Sequence, residues 1–216
     1  MEPMILDNDY SIQGIFPCPI YAANRNLNLD SIEEIEIEDI IQKGLFQNKT
    51  LTDYHSNDSY LFDTKLKNLK KFCEQHIENY VEQVINPIQE LDFYITQSWL
   101  NVVEPGGSIH RHWHANSIIS GSFYISTEED DRIVFTDPNK AVKGILKLDQ
   151  KEYNVWNSQT WFFPVENNLL FLFPSWLEHE VAPNEKATTN RISLAFNVFA
   201  KGNFGRTMNL NELILQ

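Results

Sequence analysis

The sequence predicts a mainly β protein, a sandwich or barrel of short strands with helices ahead of it, and three observations lead there. Apolar residues recur at helical spacing before Asn86 and alternate with period two from Leu91 onward. The second half breaks into strand-length runs separated by turn residues such as Glu104-Pro105-Gly106-Gly107. A chain of 216 residues supports one domain with a sizeable core, and an all-β barrel with helical additions fills that length alone. No internal repeat and no Gly- or Pro-rich linker is visible. We therefore expect one domain over 1–216, with a helical and loop preface over 1–88 and a β core over 89–205.

The elements follow in order. Asp30 to Ile41 is acidic, with Ile32, Ile35 and Ile40 in helical register although Ile35 and Ile37 also alternate, and it is expected to be a helix. Lys43 to Asp63 is rich in Asn, Ser, Thr and Asp and reads as loop. Leu66, Leu69, Phe72, Cys73, Tyr80, Val81 and Val84 form an apolar stripe between lysines and glutamates, so 64–85 is an amphipathic helix ended by Pro87. Its lysines are a solvated face. Strands are then expected from Phe93 to Val103, through the histidines, and over Ile118–Ser126, Arg132–Thr136, Gly144–Leu148, Trp161–Val165, Leu169–Phe173 and Arg191–Phe199.

Composition excludes several functions. A formal charge of −13 and a pI near 4.8 argue against a general nucleic-acid binder, which presents a basic face. Two cysteines, Cys18 and Cys73, are too few for a disulfide scaffold and fit a reducing compartment. Neither a membrane span nor a signal peptide is legible, so a cytoplasmic protein is expected, the cytoplasm of a phage host included. A homodimer is one option for its assembly.

Three of the six histidines fall within His110-Arg111-His112-Trp113-His114. Such a tract alone also describes an adventitious metal binder. On a strand, however, alternate side chains share a face, so imidazoles one residue apart can reach one ion. His179, in the turn Pro174-Ser175-Trp176-Leu177-Glu178-His179 that follows an apolar strand, would complete a facial set with open positions. Alternation puts His110 on that face too, and periodicity alone does not choose between the pairs His110/His112 and His112/His114. Farther on, Arg191 and Ser193 share a strand face, where a guanidinium and a hydroxyl can grip the far carboxylate of a small diacid. Neutral imidazole is the ligand form, so metal affinity is expected to fall steeply below about pH 6.5.

At these residues the chain resembles 2-oxoglutarate-dependent Fe(II) dioxygenases, and among them the oxygenases common in phage and marine bacterial genomes. The likeness rests on His112 through Gly121 with Phe123-Tyr124, on Leu172-Phe173-Pro174-Ser175 through His179 to Pro183, on Arg191 through Asn197, and on Trp99-Leu100-Asn101. It spans about residues 95–205. The resemblance implies a double-stranded β-helix (jelly roll) and a metal held by His112, His114 and His179, leaving His110 on the outer or substrate side. It implies Fe(II) as cofactor, 2-oxoglutarate as cosubstrate and O2 as oxidant. Arg191 and Ser193 would take the C5 carboxylate, Tyr124 would stand in the place of the diacid-binding tyrosine of prolyl hydroxylase-like members, and Asn101 would meet the C1 end. Oxidation of a C–H bond in a small molecule or peptide, with release of succinate and CO2, is the implied reaction. Trp99, Trp113, Trp161 and Trp176 read as core or pocket wall. One position departs from the pattern: most members place Asp or Glu where this chain has His114. Three histidines without a carboxylate also describe cupin-type dioxygenases that need no 2-oxoglutarate, and a jelly-roll binding module without chemistry is the third alternative.

Overall fold

The computed structural model describes residues 12, 14–48, 52–143, 145 and 148–216. In chain order the elements are β1 (Tyr21–Asn24), α1 (Ser31–Gln42), β2 (Leu45–Gln47), β3 (Asp53–Ser56), α2 (Lys67–Tyr80), β4 (Leu91–Val103), β5 (Ile109–His112), β6 (Ile119–Ser126), β7 (Arg132–Thr136), α3 (Lys140–Lys143), β8 (Thr160–Pro164), β9 (Leu169–Pro174), β10 (His179–Val181), β11 (Arg191–Phe204) and β12 (Leu213–Leu215).

The helices form where the pattern asks for them. Asp30 caps α1 by accepting from the Ile32 and Glu33 amides, and Glu33 completes the box by accepting from the Asp30 amide. The other oxygen of the buried Glu33 carboxylate accepts from the Leu69 amide at 2.6 Å, so one side chain caps two helices. Leu66, Leu69, Cys73, Ile77 and Tyr80 are buried along one stripe of α2, each contributing roughly 1.5–3 kcal/mol if fully removed from water. Past Tyr80 the helix runs on as one π turn, Val81–Ile85. It stops at Asn86, which is left-handed (φ 45°) just before Pro87.

Two antiparallel sheets make the body. The larger has eight strands in the order β1-β9-β6-β11-β4-β3-β2, with β12 paired to β11, and the smaller runs β5-β10-β7-β8. The fold is a double-stranded β-helix, as the sequence implied. Strand alternation divides the larger sheet cleanly. Leu194, Phe196 and Val198 of β11, Ile119 and Phe123 of β6, and Leu170 and Leu172 of β9 pack against the helices in one core. Tyr124, Phe171 and Phe173 face the other way and pack with Ile133 and Phe135 of the smaller sheet. The functional cavity lies on this second face. Among the described residues no helix is long and apolar enough to cross a membrane.

Four expectations need correction. The stretch 43–63 is not plain loop: β2 and β3 form a hairpin whose second strand pairs with β4, covering an edge that would otherwise stay unpaired. The preface is not purely helical either, since β1 pairs with β9. His179 opens strand β10 rather than sitting in a turn. β5 ends at His112, so His114 is held beyond the strand by its amide donating to the Ser175 carbonyl at 2.9 Å. The strand expected over 144–148 falls largely on 144, 146 and 147, outside the described residues.

Gly121 shows how the two faces are tied. It pairs with Phe196 across β6 and β11, and a Cβ there would overlap the buried Phe196 ring. Gly121→Ala is expected to lower stability by about 1–3 kcal/mol through overpacking, read as the free energy of denaturant unfolding. An unchanged unfolding free energy would show that Phe196 is not seated against β6.

Candidate metal centre

The cavity between the sheets has a volume of about 310 Å³ and draws its walls from β4, β5, β6, β10 and β11. Register brings the first two histidines together: His179 of β10 lies directly opposite His112 of β5. His114 closes the triangle. Ring centroids are 4.4 Å apart for His112 and His179, and 5.1 Å for both His112–His114 and His114–His179. One ligand atom from each of the three falls within 4.8 Å of the others.

The hydrogen bonds of these rings decide what they offer. His112 Nδ1 lies 2.8 Å from the His110 carbonyl and His179 Nδ1 lies 2.9 Å from the Leu177 carbonyl. A carbonyl only accepts, so each Nδ1 carries the proton and each Nε2 keeps a lone pair. His114 Nδ1 lies 2.6 Å from Asn197 Oδ1. Its Nε2 is buried without a partner among the described residues. Three imidazoles whose Nδ1 atoms are tied, leaving Nε2 as the ligand atom of each neutral ring, are the donor set that suits a divalent transition metal, so the residues present fit the ion.

Burial also sets the charge. It is the main cause holding His114 at a pKa of about 4 and His179 at about 3, with His112 adding repulsion in both. Trp99 stacks on His114 at 5.6 Å, and Phe173 meets His179 edge-on at 4.7 Å.

The arginine end of the cavity is equally defined. Residues 191, 193, 195 and 197 of β11 all face the cavity, as alternation requires. Ser193 lies opposite Asn101 on β4 and Tyr124 on β6, so the three expected residues form one row across three strands. Arg191 is 6% exposed and donates to the Arg132 carbonyl at 3.0 Å. Its guanidinium carbon sits 5.2 Å over the Tyr124 ring. No carboxylate pairs with it among the described residues. Burial raises the Tyr124 pKa, against the pull of Arg191, so the phenol keeps its proton. Asn101 accepts from the Trp99 indole at 3.1 Å. His110 faces the cavity but stands outside the cluster, its ring 5.2 Å from His112 and its Nδ1 buried without a partner among the described residues.

Sequence reasoning missed Asn197 as a functional group. The signal was there: a lone amide in the apolar run Leu194-Ala195-Phe196-Asn197-Val198-Phe199, an even number of residues from Arg191. It also missed Ser117, Ser120 and Ser175, whose hydroxyls meet at 2.7 and 2.9 Å behind Asn197.

A double-stranded β-helix thus lines one cavity with a three-histidine cluster that can hold a metal ion and with a buried arginine. Residues 97–197 match the profile of the family described as "Putative 2OG-Fe(II) oxygenase". The fold is shared with solved structures. The non-haem alpha-ketoglutarate-dependent carbocyclase SnoK of nogalamycin biosynthesis superposes with a TM-score of 0.60 at 10% identity, covering 92% of this chain and 89% of that chain. A prolyl hydroxylase from Trichoplax adhaerens, in complex with a hypoxia inducible factor peptide, gives 0.57 at 15% identity and 83% of each chain. HygX from Streptomyces hygroscopicus, with nickel and 2-oxoglutarate bound, gives 0.52 at 8% identity, 84% of this chain and 82% of that one. At such identities these likenesses speak for the fold. No curated protein matches the chain.

Two outcomes are expected. His112→Ala, His114→Ala and His179→Ala should each abolish Co(II) or Fe(II) binding in anaerobic titration, while His110→Ala keeps most of it. Loss in His110→Ala with retention in His114→Ala would reverse the ligand register. The second outcome concerns pH. Protons compete at His114 only near pH 4 and at His179 only near pH 3, so these two ligands leave metal affinity largely intact to that point. The metal-free protein pays instead, because unfolded imidazoles take protons near pH 6.5 that the folded ones refuse. Its stability should therefore fall as pH drops from about 6.5 to 4, by on the order of 3 kcal/mol from His114 alone, and His114→Asn should flatten that slope. A wild-type melting temperature with no extra slope over the His114→Asn variant would count against neutral, buried imidazoles.

Proposed function

We propose that this protein is an oxygenase that uses Fe(II), O2 and 2-oxoglutarate to hydroxylate a C–H bond, giving one oxygen atom to the product and one to succinate as CO2 leaves. The observation that carries the reading is the buried, unpaired Arg191 facing the same cavity as the three histidines. A guanidinium taken out of water without a counter-ion is costly, and a diacid whose far carboxylate accepts its fork removes that cost. A metal site alone gives no reason for such a cation.

His112, His114 and His179 would hold the iron, whose chemistry when bound is the coupling of O2 reduction to oxidative decarboxylation of 2-oxoglutarate. The chain's own residues do the rest. Arg191 binds the C5 carboxylate, Tyr124 donates its retained hydroxyl proton to the same group, and Ser193 adds a hydroxyl beside them. Asn101 lies in the same row, where its amide meets the cosubstrate. Trp99 and Phe173 wall the histidines and keep water off the reacting centre.

The substrate in this reading is a small molecule or a peptide side chain whose reacting part carries no charge. Arg191 is the one formally charged side chain among the described residues of the wall, and 2-oxoglutarate occupies it. The nearer kinship with oxygenases of phage and marine bacterial genomes is part of the same reading and rests on the sequence blocks. No membrane and no general nucleic-acid contact belong to it, in keeping with a net charge of −13.

Arg191→Ala is expected to weaken 2-oxoglutarate binding by about 2–5 kcal/mol while leaving Fe(II) affinity unchanged. Arg191→Lys restores part of the loss, since an ammonium supplies charge without the planar fork. Anaerobic titration of the Fe(II) protein with 2-oxoglutarate, followed by a visible charge-transfer band, and succinate formation without substrate are the readouts. Wild-type protein that binds iron but neither binds nor turns over 2-oxoglutarate would shift the function to a three-histidine dioxygenase that binds its substrate directly.

A further inference from the structure

Two of the three histidine locks are local. His112 and His179 each donate Nδ1–H to the backbone carbonyl two residues earlier, a partner that any sequence provides. His114 is different: its partner is a side chain on β11, 83 positions away, and the contact is shorter, 2.6 Å against 2.8 and 2.9 Å. His114 is also the ligand that stands where the resemblance leads one to expect a carboxylate. A carboxylate needs no tautomer to bind a cation, whereas an imidazole does.

We propose that Asn197 is a positioning residue for the metal centre, whose amide oxygen holds the His114 proton on Nδ1 and aims the buried Nε2 at the point shared with His112 and His179. The oxygen itself is backed by Ser120, whose hydroxyl lies 3.4 Å from it and 2.9 Å from the Ser175 hydroxyl. Ser175 in turn meets Ser117 at 2.7 Å and accepts the His114 amide on its carbonyl at 2.9 Å. Backbone and ring of His114 are thus fixed from the same side. The choice of an amide also has an electrical consequence. A carboxylate at 197 would lend the imidazole negative charge and strengthen its donation, whereas the neutral amide fixes geometry and leaves the metal with three neutral ligands.

This inference rests on the metal reading above, and the experiment separates the two. The probe is Co(II) alone, added anaerobically to the full chain without 2-oxoglutarate. Asn197→Leu, of similar size but without an acceptor, is expected to weaken Co(II) binding roughly 10- to 100-fold and to change the ligand-field spectrum. Asn197→Asp is expected to bind at least as tightly as wild type. In the metal-free protein, nitrogen-15 correlation spectra of the imidazoles should show Nδ1–H for His112, His114 and His179, and only His114 should become a tautomer mixture in the leucine variant. Should Asn197→Leu fail to fold, Asn197→Ala takes its place. Leucine and wild type binding Co(II) within twofold, or aspartate losing as much as leucine, would overturn the positioning role while leaving the metal site standing. A wild type that binds no Co(II) overturns the metal reading and this inference with it, and an unchanged His114 tautomer in the leucine variant overturns the inference alone.

Discussion

Alternation along β11 is the constraint on which the rest depends. This strand of fourteen residues pairs with β4 on one side and β6 on the other, so its side chains have only two directions open to them. Leu194, Phe196 and Val198 are committed to the helix-backed core. Arg191, Ser193, Ala195 and Asn197 are thereby committed to the cavity. Since four residues span both the diacid end and the metal end, the distance between them is fixed by strand rise, about 3.3 Å per residue. A slip of one residue would bury the arginine among leucines and turn phenylalanines onto the metal. Gly121 guards against such a slip, because a side chain in its place would overlap the Phe196 ring.

Charge organises the cavity in a way the overall composition hides. The chain carries thirty acidic residues, yet none of the described wall is acidic. Two consequences follow. With no carboxylate among the described residues of the wall, His114 and His179 stay neutral through burial rather than being drawn toward protonation by a neighbouring anion. Arg191 likewise pairs with no carboxylate among the described residues. A cavity with a histidine cage at one end and a buried cation at the other suits, in the proposed reading, a dianion such as 2-oxoglutarate.

The serines behind Asn197 belong to the same logic. Ser117 donates toward the Ile119 and Val198 carbonyls, which directs the Ser175 proton to Ser117 and leaves Ser120 as the hydroxyl facing Asn197. Polar groups at this depth persist because each has a partner. The cluster joins β6, β9 and β11 at the level of the metal, and it couples the ligand loop after β5 to the strands that carry Arg191.

Several things were legible in the sequence because they depend on local physics. The α2 stripe, the period change at Leu91 and most strand runs follow from side-chain spacing and backbone preference, which need no partner to be read. Alternation likewise put Arg191 and Ser193 on a common face, whereas His114, grouped with His112 by the same rule, lies beyond the end of β5 and reaches the cluster through the Ser175 carbonyl. Partners in space were not legible. The hairpin of β2 and β3 looked like loop because its polar residues pair only with the free edge of β4, and β10 looked like a turn because three residues become a strand only between β5 and β7. His110 and His114 were equivalent by periodicity, and what separated them was the carbonyl of Ser175 and the amide of Asn197, 61 and 83 positions away from His114. The sequence by itself determined which residues share a face, since that follows from bond geometry along one strand, whereas only the tertiary structure decided which faces meet and which nitrogen of each ring is left open, since both depend on contacts between strands far apart in the chain.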